Sequence, residues 1–125
     1  MLEVSDIGLC LDTGHLFIDG GDPVAATTTW ASRINQVHLK DARRSVMAGI
    51  VADDAYVTEI WSREAFPALG KGEIDLDGVL AGLDRIGYRG WLVVEQDTFP
   101  RTKERFERAA SDQRANRVYL RQRGL

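Results

Sequence analysis

The sequence predicts an α/β fold of three consecutive βα units around a parallel sheet. Three short apolar runs, at residues 7–11, 34–37 and 91–94, have the length and residue types of strands. Helical spacings and helix-start signals lie between them, which is the pattern of parallel strands joined by helices. Each run leads into a residue able to bind a divalent metal: Asp12, His38 and Glu95. The near-continuous apolar character of the runs further predicts a sheet buried on both faces.

The first run begins within a few residues of Met1, which suits either a natural domain start or a chain whose front half is absent. Cys10, the single cysteine, cannot form an internal disulfide and is expected in the core as a small apolar residue. Asp12-Thr13-Gly14-His15 leads into the turn-rich Asp19-Gly20-Gly21-Asp22-Pro23. Asp22 suits an N-cap and Pro23 the first helical position, so a short helix to about Ser32 is expected. Arg33 then leads into the second run. Residues 45–54 show no clean period. Residues 55–65 read as a helix with Ile60, Trp61 and Ala65 as buried positions, and residues 69–75 as a loop. Leu76, Val79, Leu80, Leu83 and Ile86 recur at helical spacing, and Gly87 ends that helix. A last helix over about 102–121 sets Phe106, Ala109, Ala110, Val118 and Leu120 among charges.

At 125 residues the chain is one domain at most, and 44% apolar residues suffice for a core. A net charge of -3 excludes the basic footprint of a nucleic-acid binder. The one basic stretch, residues 101–123, is interrupted by acids and glutamines and reads as a solvated helix face. No apolar run reaches the roughly 18 residues of a membrane span. The first residues lack a charged region followed by an apolar one, so no signal peptide and a cytoplasmic location are expected.

Taken alone, Asp12-Thr13-Gly14 also reads as a strand-ending turn, and His38 as a core histidine. Glu95 is harder to assign to the core, since a buried carboxylate without a partner is costly. If the strands are parallel neighbours, the three side chains converge on one point. Such an oxygen-and-nitrogen set suits Mn, Co, Zn or Mg. Lys40, Asp41 and Asp97 read equally as groups supporting those ligands or as ordinary strand-end polar residues. Gly70 and Gly72 are not a phosphate loop, because no Lys-Ser or Lys-Thr follows.

At Asp12-Thr13-Gly14-His15, His38-Leu39-Lys40-Asp41 and Val94-Glu95-Gln96-Asp97 the chain resembles the sugar phosphate isomerase/epimerase superfamily. These are xylose-isomerase-like TIM barrels, a group that includes inosose dehydratases and ketose 3-epimerases. Leu69-Gly70-Lys71-Gly72-Glu73-Ile74-Asp75 and Gly87-Tyr88-Arg89-Gly90-Trp91 look like its signatures as well. The resemblance implies a partial TIM barrel, with residues 1–125 its C-terminal portion and the three βα units the last three of eight. It implies a metal held by Asp12, His38 and Glu95, together with a Glu from an earlier strand that has no counterpart here. Glu95 would also serve as an acid/base group. His15 would contact substrate, and either Arg43 or Arg44 would bind it. The implied substrate is a ketose or a cyclic polyol ketone, isomerised, epimerised or dehydrated through an enediolate that the metal stabilises as a Lewis acid.

Three units leave two open sheet edges, which favour pairing with other chains. An oligomer, or a partner carrying the N-terminal half-barrel, is therefore expected, and efficient turnover is not expected without the absent carboxylate. The competing expectation is a non-catalytic truncated barrel module that assembles with a partner chain. Kinship with zinc-dependent endonucleases acting on abasic DNA is opposed by the acidic balance and the presence of two histidines alone.

Overall fold

The computed structural model describes residues 6–125; the first residues, on which the expectation about a leader falls, lie outside them. The order is β1 (Leu9–Asp12), α1 (Thr13–Ile18), α2 (Pro23–Thr29), β2 (Ile34–Leu39), α3 (Arg44–Ala52), α4 (Glu59–Ser62), α5 (Leu76–Arg85), β3 (Trp91–Val94) and α6 (Lys103–Arg121). The strands form one sheet in the order β1-β2-β3, and both pairings are parallel. Asp12 stands opposite His38, and His38 opposite Val93. The α/β architecture and the presence of three strands are as the sequence predicts, with β1 starting at Leu9 rather than residue 7 and β2 running on to Leu39.

Side chains alternate across a strand, so each strand sorts its residues onto two faces. Leu11, Val37 and Leu39 point to a closed face, where helices cover them. There they join Ala26, Ile34, Leu69, Leu76, Val79 and Leu83 in the main core. Full burial of a side chain such as Val37, Leu39 or Val79 contributes roughly 1.5–3 kcal/mol. A smaller cluster of Ala42, Ile50, Ala65 and Phe66 lies beside it.

Among the described residues nothing covers the opposite face, where the sequence predicts a sheet buried on both sides. Cys10, expected in the core, is exposed, and Trp91 is 80% exposed. The period-2 pleat sends Cys10, Gln36 and Trp91 to this face together. An apolar run cannot tell which of its residues has a covering layer.

Local signals account for the helices that the sequence shows. Asp22 Oδ1 accepts the N–H groups of Val24 and Ala25, at 2.9 and 3.2 Å, and starts α2. The helix ends at Thr29, earlier than expected, because Trp30 caps it and residues 31–33 turn toward β2. Asp75 caps α5 through Gly78 N–H at 2.8 Å. Gly87 follows that helix at φ +67°, a backbone conformation that strains any side-chain-bearing residue. Thr102 caps α6 through Arg105 N–H at 3.3 Å. Along α6, Ala109, Ala110 and Leu120 are half-buried while Phe106 and Val118 face solvent. The buried residue of this helix is Asn116, whose Oδ1 accepts Leu69 N–H at 2.8 Å and ties the helix to the 69–75 loop.

Three stretches differ from expectation. The segment after Asp12 is not a turn but the helix α1. Residues 44–52 form α3 although their apolar residues show no period. Its first turn is held by Glu73, from a loop 28 residues on, which accepts both the N–H and the hydroxyl of Ser45. The helix expected over 55–65 shrinks to the single turn α4; of its three expected core residues only Ala65 is fully buried, Ile60 and Trp61 being half-covered.

Candidate metal centre

Asp12, the last residue of β1, pairs with His38 near the end of β2, so the two side chains leave the sheet side by side on the open face. Glu95 lies two residues beyond Val93, the partner of His38, and so returns to the same face. Its N–H bonds Leu39 O at 3.2 Å, which extends the ladder one step past β3. One ligand atom from each of Asp12, His38 and Glu95 can be chosen such that all three lie within 4.8 Å of one another. His38 Nδ1 stands 2.5 Å from Glu95 Oε2 and 3.8 Å from Asp12 Oδ2. All three side chains are part-buried, between core and solvent.

Helix α1 explains why Asp12 can hold this position. Its Oδ1 accepts His15 N–H at 2.9 Å and caps the helix, which leaves Oδ2 turned to the cluster. The same turn brings His15 Nδ1 to 3.2 Å from Asp12 Oδ2. His15 is 58% exposed at its side chain, so it meets whatever enters from solvent.

Lys40 is the centre of the arrangement. Its Nζ lies 2.9 Å from Glu95 Oε1, 3.1 Å from Asp97 Oδ2, 3.3 Å from Asp12 Oδ2 and 3.3 Å from His15 Nε2. The side chain is fully buried. Burial works against its charged form, but the hydrogen bonds to Glu95 and Asp97 and the nearby Asp12 charge outweigh it and hold the pKa above the ordinary lysine value. The contact with Lys40 makes His15 Nε2 an acceptor, so Nδ1 carries the proton and donates to Asp12.

The residues present fit a divalent metal. Two carboxylates and an imidazole form a hard oxygen-and-nitrogen set on one open face. His38 Nε2 is 3.0 Å from the Gln36 side-chain amide. The amide nitrogen faces Nε2 here and Nδ1 faces Glu95; a flip of the Gln36 amide would let its oxygen accept the Nε2–H bond and turn the Nδ1 lone pair to a metal, the usual division of labour in a metal-bound histidine.

Four residues singled out in the sequence thus meet here: Asp12, His38, Glu95 and His15. Arg43 and Arg44 do not join them; among the described residues no hydrogen bond or ion pair links either one to the cluster. Arg43 donates to Lys71 O through Nε and Nη2, at 3.1 and 3.0 Å. Arg44 donates to the carbonyls of Phe17 and Gly21 and lies 4.0 Å over the Phe17 ring. Arg43 does line a cavity of about 190 Å³ that shares Asp97 with the cluster and runs beside Phe66, Gln96 and Phe99. The sequence left Lys40 and Asp97 undecided between supporting and ordinary surface roles. The signal was Lys40 itself, a lysine directly after β2 and two residues beyond His38.

A family model described as a xylose isomerase-like TIM barrel matches residues 1–118. The rhizopine catabolism protein MocC of Rhizobium meliloti is 39% identical over 94 residues, 75% of this chain and 29% of that protein. An inosose dehydratase of Erwinia tasmaniensis is 39% identical over 120 residues, 94% of this chain and 39% of its own length. Inosose dehydratase 2 of Bacillus cereus is 36% identical over 112 residues, 87% of this chain and 38% of that protein. The chain therefore spans less than two fifths of the length of these curated relatives. Among solved structures, a xylose isomerase-like TIM barrel/4-hydroxyphenylpyruvate dioxygenase fusion protein aligns with a TM-score of 0.56 and 28% identity. That alignment covers 94% of this chain and 18% of the fusion.

Proposed function

The chain belongs to the xylose isomerase-like TIM barrel family, and from that premise we propose that residues 1–125 are the C-terminal portion of a metal-dependent isomerase, epimerase or inosose-type dehydratase. The substrate is a ketose or a cyclic polyol ketone. The observation that carries this reading is the convergence of Asp12, His38 and Glu95 on one point of the open sheet face.

Asp12, His38 and Glu95 would hold Mn, Co, Zn or Mg. When bound, the metal would polarise a substrate carbonyl and so acidify the adjacent C–H. Glu95 offers a carboxylate to take a proton from that carbon and return it. His15, exposed and anchored on Asp12, presents its ring to substrate oxygens. Lys40 holds Glu95 and Asp97 in place. Of the two arginines proposed to bind substrate, Arg43 lines the cavity beside Asp97, whereas Arg44 is committed to the carbonyls of Phe17 and Gly21.

Deuterium exchange tests the chemistry. The chain, loaded in turn with each metal, is incubated in D2O with an inosose or a ketose, and NMR follows the carbon next to the carbonyl. The expected result is exchange at that carbon, lost in Glu95→Gln. No exchange with any of the four metals would overturn the catalytic assignment.

Assembly is part of the same proposal. The open face, with Trp91 80% exposed and Cys10 beside it, supports a covering partner that completes the barrel. Light scattering of the chain should give a mass above that of one copy, and a monomer at all concentrations would count against it.

A further inference from the structure

We propose that Lys40 and Asp97 set the charge of the metal centre and make it selective for divalent over trivalent cations. This rests on the metal-centre reading above and adds to it two residues that are not themselves ligands.

Lys40 is built in rather than merely nearby. Thr13 Oγ1 accepts its N–H at 2.9 Å and donates to its carbonyl at 2.7 Å, which fixes the backbone on both sides of the residue. The aliphatic stem lies against Gly14, where a Cβ would stand only 2.7 Å from Lys40 Cγ and Cδ. The ammonium lies 5.2 Å from the centre of the Phe66 ring. With no water access, this ammonium has the carboxylates as its counter-ions.

Asp12, Glu95 and Asp97 bring three negative charges to the Lys40 ammonium, which cancels one of them. His38 must be neutral to bind a metal, and His15 is neutral in the tautomer that accepts from Lys40. On the groups of this chain two negative charges remain, the number that one divalent ion balances; the Glu that the resemblance implies from an earlier strand is outside this count. Each further negative charge favours a trivalent ion more than a divalent one, because the Coulomb energy scales with the product of the charges. Removing the Lys40 charge should therefore tilt the site toward trivalent ions, and removing the Asp97 charge should tilt it the other way.

The test measures Kd for Mn2+ by electron paramagnetic resonance and for Tb3+ by luminescence on the 125-residue chain. The variants are Lys40→Met, Asp97→Asn and Asp12→Ala, each checked for folding by near-UV circular dichroism. Taking the ratio of the two Kd values within each protein cancels any general loosening of the site. Lys40→Met should shift the ratio toward Tb3+ by about tenfold or more, and Asp97→Asn toward Mn2+ by a similar factor. If Lys40→Met does not fold, Asp97→Asn decides alone, since Asp97 is part-exposed and its loss leaves no buried cavity. A ratio in Asp97→Asn within about twofold of wild type, or a shift in the same sense in both variants, overturns the proposal. Wild type binding neither ion, or Asp12→Ala binding both unchanged, instead defeats the metal centre itself and this inference with it.

Discussion

Asp41 Oδ2 accepts the Gly72 N–H at 2.8 Å, joining the end of β2 to a loop 31 residues on. The same carboxylate takes the N–H groups of Ala42 at 2.9 Å, Gly70 at 2.9 Å and Ile74 at 3.4 Å. Asp41 follows Lys40 directly, so the anchor of this loop adjoins the ammonium of the candidate metal centre. Replacing Asp41 by Ala would strand the buried Ala42 N–H and three part-buried ones and should cost about 3 kcal/mol in urea unfolding. Asp41→Asn keeps one acceptor oxygen and should cost less. A change in Asp41→Ala below about 0.5 kcal/mol, the range of ordinary surface substitutions, would show that water replaces the carboxylate.

The packing of Lys40 on Gly14 gives a second test. A methyl at Gly14 meets Lys40 Cβ at 3.0 Å as well as Cγ and Cδ, so the whole stem must move and not only its flexible end. Gly14→Ala should destabilise the chain by about 1–3 kcal/mol, as overpacking does, and should also weaken Mn2+ binding. An unchanged melting temperature together with unchanged Mn2+ affinity would place the lysine stem elsewhere.

Metal binding should register in stability without any substrate. An ion held by the native state alone stabilises by about 2.7 kcal/mol at a hundred times its Kd. Mn2+ should therefore raise the unfolding midpoint of the wild-type chain, and chelation should reverse the rise. His38→Ala and Glu95→Ala should lose most of the effect. Equal stabilisation of His38→Ala would point to an ion bound at another place.

Asp77 and Arg123 link α5 to the end of α6 and should make stability depend on pH. The bond from Arg123, helped by its charge and by Tyr119, holds the Asp77 carboxyl below the usual aspartate range. A depressed folded value means that the stability of this link is present above the ordinary aspartate pKa, near pH 4. It is lost as the pH falls from there through the lower folded value. Urea midpoints measured from pH 6 down to pH 2 should fall more steeply for wild type than for Asp77→Asn. Parallel curves would mean that solvent screens the pair completely.

Much of the architecture was legible because its signals are local. The spacing of Leu76, Val79 and Leu83 marks α5, Asp22-Pro23 starts α2, and Gly87 ends a helix through its own backbone freedom. The strands and their terminal Asp12, His38 and Glu95 were visible for the same reason. Helix α3 was not, because its N-terminal support comes from Glu73, far along the chain, and its apolar residues face more than one way. Helix α1 was hidden by Gly14 and the turn-like residues around it; its start depends on Asp12, which could equally end a strand.

The sequence by itself determined the three strands, their parallel direction and the kind of atom each presents at its end. Those follow from apolar runs, connecting helices and residue chemistry, which need no distant partner. Only the tertiary structure decided which face of the sheet this chain covers with its own helices, leaving Cys10 and Trp91 on the other, and that Lys40 enters the space between Asp12, Glu95 and Asp97. Both depend on how strands are set against one another and on what covers them. Burial and Coulomb energy are properties of groups brought together in space, and residues 12, 40 and 95 become neighbours only when the sheet forms.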